Sequence, residues 1–396
     1  MSRGMVAIEE KANRVHEKTE KYFDYSLLFI VIFLVCFGLV MIYSTSAYSS
    51  QIANDGDSFY YLKRQAFFAG VGMAGLFVAS RIPYMVWKRF TLLAYAITNG
   101  LLAIVLLYGV ASHGQRRWIA IGPIQFQPSE MAKAVLIVFL AHLTSNCVRQ
   151  LKNWRGVVKC FMIALPMIIL VTVSNLSTGI ILLGITFIII FVASNQYKIF
   201  FGVVGAGVAL MVLFLNIAAY RMDRIEAWLN VETSEYAYQT RQALYAIGSG
   251  GVFGKGLGRS IQKLSYVPEA HNDMIFSIIC EELGLFGAIA IILLFILLLW
   301  RCMIIANNAP DLYGALIVIG VMAQIGLQVI INIGVVTNTI PNTGIPLPFI
   351  SYGGTSLIVM LASVGILLNL SQYTELPPQR RTLKYKLKKD SIWHNN

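Results

Sequence analysis

The chain has 396 residues, of which 57% are hydrophobic and only 13% are charged, and its formal net charge is +12. A soluble domain of this length needs more polar surface to cover its core. The apolar runs of about 20 residues match helices that cross the hydrocarbon of a bilayer, and they are unlike the alternating segments of a membrane β-barrel. The sequence therefore predicts an all-α, polytopic membrane protein. The positive charge lies in short loops and a C-terminal tail, which argues against nucleic-acid binding.

Charges and turn residues divide the apolar sequence into ten predicted transmembrane helices. The spans lie near residues 25–44, 65–80, 90–111, 130–146, 157–173, 177–194, 199–220, 274–300, 312–334 and 353–371. They leave an N-terminal tail at 1–24, a membrane domain at 25–372 with one long loop at 221–273, and a basic tail at 373–396. The first 24 residues do not resemble a cleavable signal, so the first span is expected to act as an uncleaved anchor.

The distribution of Lys and Arg predicts the orientation of these helices. With the N-terminus inside, 20 of the 31 lie in cytoplasmic segments, ten lie outside and one lies within a span. Six of the outer ten belong to the long loop 221–273, which such counting leaves out, so the comparison becomes 20 against four. The sequence predicts cytoplasmic N- and C-termini, with the basic tail near the anionic inner leaflet.

This topology brings the polar motifs of the chain to one side. Polar segments precede the fourth, eighth and tenth spans, and a short polar turn joins the fifth and sixth, all on the external face. The sequence therefore predicts one extracytoplasmic site.

Asp273 is the predicted centre of that site. It stands in VPEAHNDMIFSIICEELG, where a polar segment runs directly into an apolar helix. An ionisable group at a membrane boundary is costly unless it is paired, hydrated or used in function. Glu281 and Glu282, about two turns further on, are expected to face the protein interior in a structural role.

The segment QPSEMAK predicts a buried ion pair at the mouth of the fourth span. Pro128 and Ser129 favour a helix start, and Glu130 and Lys133 lie three residues apart on one face. The pair either fixes helix packing or leaves Lys133 to meet an anionic ligand. Arg117, just before this helix, is either a lipid-headgroup contact or a phosphate ligand, because guanidinium matches phosphate oxygens.

The long loop carries a glycine-rich stretch, YAIGSGGVFGKGLGRS. Its spacing fits neither the dinucleotide-binding motif nor the P-loop, so it predicts a hinge or close-packing loop, with Lys255 and Arg259 as electrostatic aids to substrate binding. Residues 234–247 have helical spacing, which places Arg241 on a surface helix. His271 and Ser351 complete the candidate substrate contacts. No histidine or cysteine has zinc-ligand spacing, and a divalent cation at the site is left open.

Four motifs together resemble a known family. RRWIAIGPIQFQPSEMAK, YQTRQALYAIGSGGVFGKGLG, PEAHNDMIFSIICEELG and GIPLPFISYGGTS are similar to the FtsW/RodA/SpoVE group of shape, elongation, division and sporulation proteins. The resemblance covers residues 25–372 and favours the division or sporulation branch. One departure is the turn Asn175-Leu176-Ser177-Thr178-Gly179, where many relatives have Pro-Asp-Leu-Gly-Thr, so no carboxylate is available there.

The resemblance implies a peptidoglycan glycosyltransferase of the bacterial cytoplasmic membrane. Such a protein polymerises lipid II and works with a class B penicillin-binding protein and other divisome or elongasome membrane proteins. Asp273 matches the family's essential aspartate, and as general base it would deprotonate the acceptor hydroxyl. Two other classes of function remain: a lipid II flippase, for which no inverted repeat is evident, and a non-catalytic scaffold, in which Asp273 would be dispensable.

Overall fold

The computed structural model describes residues 23–112, 115–121, 124–194, 200–202, 205 and 219–374. Its helices, in chain order, are α1 (Tyr25–Ala53), α2 (Tyr60–Arg81), α3 (Tyr84–Tyr108), α4 (Pro128–Asn146), α5 (Trp154–Ser174), α6 (Leu176–Ala193), α7 (Ala219–Leu229), α8 (Tyr238–Gly250), α9 (Ile275–Asn307), α10 (Leu312–Val336) and α11 (Gly354–Ser371). Short 3-10 turns lie at Gln150–Lys152 and Glu235–Ala237. Three strands, β1 (Val110–Ser112), β2 (Gln115–Ile121) and β3 (Ile124–Phe126), pair antiparallel in the order β1-β2-β3.

The helices confirm a polytopic membrane protein. Within the described ranges, seven are long and apolar enough to cross a bilayer, namely α1, α3, α5, α6, α9, α10 and α11. Two more, α2 and α4, have 22 and 19 residues and coincide with predicted spans, although both carry charges. The predicted span 199–220 and the two predicted tails fall almost entirely outside the described residues.

Helix α1 continues to Ala53, well beyond the predicted end at residue 44. Its second half is rich in hydroxyl side chains, which sequence reasoning assigns to a loop. In the structure these hydroxyls donate to carbonyls one turn back: Thr45 Oγ1 to Met41 O at 2.8 Å and Ser46 Oγ to Ile42 O at 2.7 Å. Satisfied in this way, hydroxyl groups are compatible with a buried helix. Helix α9 likewise runs to Asn307, beyond the predicted residue 300.

Asp24 joins the start of α1 to the ends of two later helices. Its carboxylate caps α1 by accepting from Leu27 N at 2.9 Å, and it forms an ion pair of 2.7 Å with Arg301 of α9. Its backbone N–H donates to Ser371 Oγ at the end of α11. The start of α1 and the end of α11 therefore lie on the same side of the helical bundle, and this side is called the Asp24 end below.

The opposite end of the bundle is built from the longer connections. Asn332, near the end of α10, donates to the backbone oxygen of Asp273, which precedes α9. Thr355, at the start of α11, donates to Gln125 O of β3. The predicted long loop contains two helices: α8 overlaps the helix predicted at 234–247, and α7 was not predicted. This side is called the Asp273 end.

Helix α9 is interrupted at Gly284, where the backbone turns to φ 67° and ψ −164°. Residues 251–256 fill the interruption: Lys255 N and Gly256 N donate to Glu281 O and Glu282 O, each at 2.9 Å. A Cβ on Gly284 would lie 2.3 Å from Gly254 N, so the close approach requires glycine there. The glycine-rich stretch is thus a close-packing loop, one of the two roles predicted for it.

Candidate active site

Asp273 lies in the segment between α8 and α9, two residues before α9 begins. Asn332 Nδ2 donates both to the Asp273 backbone oxygen at 2.7 Å and to Ile345 O at 2.8 Å. A Cβ on Gly344 would lie 3.8 Å from Asp273 Oδ2, so the carboxylate rests beside the backbone of Gly344. The Asp273 side chain therefore sits where α9, α10 and the segment 337–353 meet.

Asp273 is half-buried as a residue and has no ion-pair partner among the residues that the structure describes. Burial is the largest influence on its pKa and raises it to about 6; the charge of Glu269 raises it further, and the charge of Arg224 and the N–H of Met274 lower it. A carboxylate with such a pKa is ionised at neutral pH and is a better proton acceptor than an ordinary aspartate.

Helices α7 and α8 of the long loop form hydrogen bonds with the segment 337–353, which lies beside Asp273. From α7, Arg224 donates to Asn342 O at 2.9 Å and Trp228 donates to Asn338 O at 3.1 Å. From α8, Gln239 accepts from Asn342 Nδ2 at 3.0 Å and donates to Pro268 O at 3.2 Å. The loop helices therefore join the Asp273 segment to the connection between α10 and α11.

His271 and Ser351, two predicted substrate contacts, have partners inside the protein. The His271 ring packs on Tyr61 of α2 with ring centroids 4.3 Å apart, and its backbone oxygen accepts from Tyr352 N. Burial lowers the pKa of His271 to about 4, so the ring is neutral at pH 7. Ser351 Oγ accepts from Leu347 N at 2.8 Å. His271 lies two residues before Asp273, and Ser351 directly precedes Tyr352, which binds the His271 backbone.

The segment that precedes α4 joins the same end through Arg117, together with the turn between α5 and α6. Arg117 lies on β2, and its Nε donates to Ser174 O at 2.8 Å. Ser177, in the turn that lacks the family's carboxylate, donates to Thr343 O at 2.6 Å. These bonds connect β2, the turn and the segment 337–353 into one polar surface.

Glu130 and Lys133 form the predicted ion pair, one turn into α4. Lys133 Nζ lies 2.8 Å from Glu130 Oε2, and the side chains are 1% and 8% exposed. A buried pair of this kind is costly to break from either side, because removal of one partner leaves a buried charge. The geometry shows the pair, and it leaves both predicted roles of Lys133 open.

The remaining predicted cations divide into paired and exposed groups. Lys255 is bound to Glu281 at 2.7 Å and to Ser249 Oγ at 2.9 Å, so its charge is already balanced. Arg241 on α8 donates to Glu232 O at 2.7 Å. Arg259 is exposed. The structure therefore brings Lys255 to a carboxylate of the protein itself, a partner 26 residues away that no local pattern in the sequence indicates.

Glu281 and Glu282 are fully buried, as expected, and each has several donors. Glu281 accepts from Lys255, the Ser260 hydroxyl and the N–H groups of Ile261 and Gln262. Glu282 accepts from Lys263 Nζ at 2.7 Å, from Ser44 of α1 at 2.7 Å and from Ser260 N at 3.4 Å. The loop's lysines and successive amides thus surround two internal carboxylates and hold the Asp273 segment against α9 and α1.

No cluster of three or more His, Cys, Asp or Glu side chains with metal-binding geometry occurs in the part of the chain that the structure describes. The charges of Glu269 and Arg224 act on Asp273 in opposite directions, the first raising and the second lowering the pKa of its carboxyl. The structure thus supplies no ready-made protein cage for a divalent cation, whose involvement stays open.

The fold and the site define a class: a helical membrane protein with one polar, acid-centred site at a single end of its bundle. The chain belongs to the FtsW/RodA/SpoVE family, whose model, described as "Cell cycle protein", matches residues 25–376.

Similar proteins agree with this assignment. The chain is 42% identical over 360 residues to stage V sporulation protein E of Bacillus subtilis (strain 168), covering 89% of this chain and 97% of that protein. It is 38% identical to a probable peptidoglycan glycosyltransferase FtsW of Trichlorobacter lovleyi, covering 90% and 95%.

Solved structures share the fold. A chain from a study of how a peptidoglycan synthase complex coordinates polymerization and crosslinking has a TM-score of 0.73 and 26% identity, covering 89% of this chain and 99% of that one. The rod shape determining protein RodA of Thermus thermophilus has a TM-score of 0.64 and 27% identity, covering 90% and 98%.

Proposed function

We propose that this protein is a peptidoglycan glycosyltransferase that polymerises lipid II, with Asp273 as its general base. Similarity to proteins named as peptidoglycan glycosyltransferases over most of the chain supports the activity. The observation that carries the assignment of the base is the state of Asp273. It is a half-buried residue without an ion pair in the described ranges, burial raises the pKa of its carboxyl to about 6, and it lies at the end of the bundle where the polar motifs meet. Similarity to sporulation and division proteins favours a role in one of those two processes.

In this mechanism the acceptor sugar hydroxyl attacks the anomeric carbon of a lipid-linked sugar. As the new C–O bond forms, Asp273 takes the hydroxyl proton, and the bond between the anomeric carbon and the pyrophosphate oxygen breaks with its electron pair on that oxygen. The leaving group is undecaprenyl pyrophosphate, a stable anion that needs charge neutralisation more than protonation. Exposed Arg259 and the buried Lys133 ammonium are the cations proposed for that role, with Arg117 as a further contact.

The test of the base is Asp273→Asn in purified protein supplied with lipid II. Asparagine keeps the size and polarity of the side chain but cannot take the proton, so glycan strand formation should fall by about 100-fold or more. Glu235→Gln, an exposed acid elsewhere in the long loop, is the matched control and should keep normal activity.

Near-normal polymerisation by purified Asp273→Asn protein would contradict the assignment and move the base to Glu130. Absence of polymerisation by the purified wild type would favour the scaffold, and lipid II transport by that inactive protein would favour the flippase.

We also propose that the site faces outward from the bacterial cytoplasmic membrane, with both termini cytoplasmic. The charge distribution supports this orientation, and the Asp24–Ser371 contact is consistent with termini on one side. Exposed Thr233 and Lys152 lie in segments of opposite predicted location. A membrane-impermeant thiol reagent applied to intact cells should label cysteine at Thr233 and not at Lys152; the reverse pattern would overturn the orientation.

A class B penicillin-binding protein is the proposed partner, together with other divisome or elongasome membrane proteins. The structural similarity to a chain from a peptidoglycan synthase complex supports a partnered state. Co-expression with candidate transpeptidases, followed by purification through a tag on this protein, should recover a stable complex with higher polymerase activity. Full activity of the protein alone, unchanged by every candidate, would contradict the proposal.

A further inference from the structure

The glycine loop, residues 251–258, lies beside the interruption of α9 rather than above the bundle. Besides the two bonds to the carbonyls of Glu281 and Glu282, Leu285 N donates to Gly251 O at 3.0 Å and Phe286 N donates to Val252 O at 3.2 Å. These four backbone bonds replace the helical bonds that α9 cannot make across Gly284. The loop is therefore fixed at the depth of Gly284.

The length of α9 gives that depth. Arg301, bound to Asp24 at the other end, is the first charged residue on that side, and residues 285–300 are all apolar. Arg301 lies seventeen positions after Gly284, which corresponds to about 25 Å of helix. A hydrocarbon core of about 30 Å that begins at Arg301 extends past Gly284. Tilting of α9 shortens its projection on the membrane normal and brings Gly284 deeper still.

The outward surface of the glycine loop is apolar. Phe253 is 81% exposed and stacks on Phe286 of α9, itself 61% exposed, with ring centroids 5.4 Å apart. Val252 and Leu257 are also exposed, and the patch continues onto Leu285. An apolar surface of this kind requires an apolar neighbour. Its continuity with the outer face of a membrane-spanning helix indicates that this neighbour is lipid.

The polar groups of the loop are compatible with that neighbour. Beyond the four bonds to α9, Gly254 N donates to Gly250 O at 2.9 Å. The charge of Lys255 is balanced by Glu281 at 2.7 Å. Backbone that enters hydrocarbon needs its hydrogen bonds satisfied within the protein. These bonds satisfy three successive N–H groups, those of residues 254–256, together with the oxygens of Gly251 and Val252. Exposed Arg259 follows directly after the loop, where a cation suits the phosphate level of the headgroups.

We propose that the glycine loop is a re-entrant membrane anchor. It inserts into the leaflet on the Asp273 side, where Val252, Phe253 and Leu257 contact lipid acyl chains. Because the same segment continues through Ser260 and Lys263 to Asp273, the anchor sets the height of Asp273 relative to the headgroups. The inference does not depend on the proposed enzymatic activity or on which side of the membrane is external.

Spin-label accessibility measures this insertion directly. Single cysteines replace Phe253, Leu293 or Tyr236 after the five native cysteines have been changed to serine or alanine, and each carries a nitroxide in phosphatidylcholine–phosphatidylglycerol vesicles. Leu293 on α9 and Tyr236 on the long loop are 57% and 68% exposed, so they serve as the lipid and water references. The label at Phe253 should resemble that at Leu293, with high collision rates with oxygen and low rates with a water-soluble nickel complex.

A label at Phe253 as accessible to nickel as that at Tyr236 would overturn the proposal. A second measurement retains all native cysteines: a photo-crosslinking amino acid at Phe253 in native membranes. Adducts to lipid support the anchor, and adducts to another protein overturn it in favour of a partner interface. Neither readout uses glycan synthesis, so failure of the anchor and failure of the enzymatic proposal are distinguishable.

Discussion

Three carboxylates lie within ten residues at the start of α9, and their surroundings differ sharply. Glu281 and Glu282 are fully buried, and lysines, hydroxyls and backbone amides donate to them. Asp273 has no ion-pair partner in the described ranges, and burial raises its pKa to about 6. The comparison separates two kinds of acid: those with a full set of donors hold the segment, and the acid without an ion pair is the one proposed to take a proton.

Removal of Glu282 should produce the largest effect on folding. Glu282→Leu leaves the buried Lys263 ammonium without its carboxylate, and such a loss costs about 3–5 kcal/mol in the free energy of unfolding. Thermal unfolding of the detergent-purified protein measures it, and the double variant Glu282→Leu/Lys263→Met should recover much of the loss. Asp273→Leu, which removes an acid without an ion pair, should unfold no earlier than the wild type. Equal destabilisation by both single changes would erase the distinction between the two kinds of acid.

Loss of the Glu130–Lys133 pair should destabilise the protein more than loss of Asp273 and no more than loss of Glu282. Glu130→Ala leaves Lys133 buried and unpaired, so the free energy of unfolding should drop by about 3 kcal/mol. Lys133→Ala should destabilise as well, but it should also reduce turnover of lipid II in the folded fraction, because a cation for the leaving pyrophosphate is lost. If the folded Lys133→Ala protein polymerises lipid II normally, the pair is structural, like Glu282 and Lys263.

The pH dependence should distinguish Asp273 from the paired acids. Because the base must be ionised, polymerisation by the wild type should fall about tenfold per pH unit below about pH 6. The folded-state pKa lies above the unfolded value of about 3.9, so the wild type loses stability as the pH rises from about 4 to about 6. Asp273→Asn protein should therefore melt later than the wild type at pH 7.5 and equally at pH 3.5. A wild-type advantage at pH 7.5 would indicate a hidden stabilising partner for the carboxylate.

The smallest effect should appear at the edge of the Glu281 cluster. The Lys255 side chain is 30% exposed. When Lys255 is replaced, Glu281 keeps its hydrogen bonds from the Ser260 hydroxyl and from two backbone amides. Lys255→Met should therefore lower the free energy of unfolding by about 2 kcal/mol. Arg259→Met, at an exposed position in the same segment, should leave the melting temperature unchanged. Thermal unfolding measures both, and equal effects would show that Lys255 acts through general charge.

The sequence predicted the membrane-spanning architecture, the ion pair at the start of α4 and the burial of Glu281 and Glu282 because each depends on local pattern. It missed the sheet formed by β1, β2 and β3, of which two strands have only three residues and the third carries Arg116 and Arg117. An alternating stretch followed by Gly122-Pro123 was the available signal.

Long-range partners were beyond sequence reasoning. Lys263 contacts Glu282, Asn332 fixes the backbone of Asp273, and Ser44 of α1 reaches Glu282 across more than 200 residues. No periodicity marks such pairs, because each depends on how helices pack rather than on spacing along the chain. The interruption at Gly284 was equally hidden, since glycine is frequent inside membrane helices.

The position of Asp24 has a consequence for how the protein is made. Its carboxylate and backbone N–H bind groups on α9 and on the last residue of α11, and Asn369 of α11 binds both the oxygen of Ser80 and the amide of Tyr84. The polar ends of the helices that are synthesised first therefore gain these hydrogen-bond partners only after the last helix has been made. During biogenesis the first three helices carry exposed polar ends that a membrane chaperone or insertase is expected to shield, and premature termination before α11 yields a chain suited to quality-control proteolysis rather than to partial function.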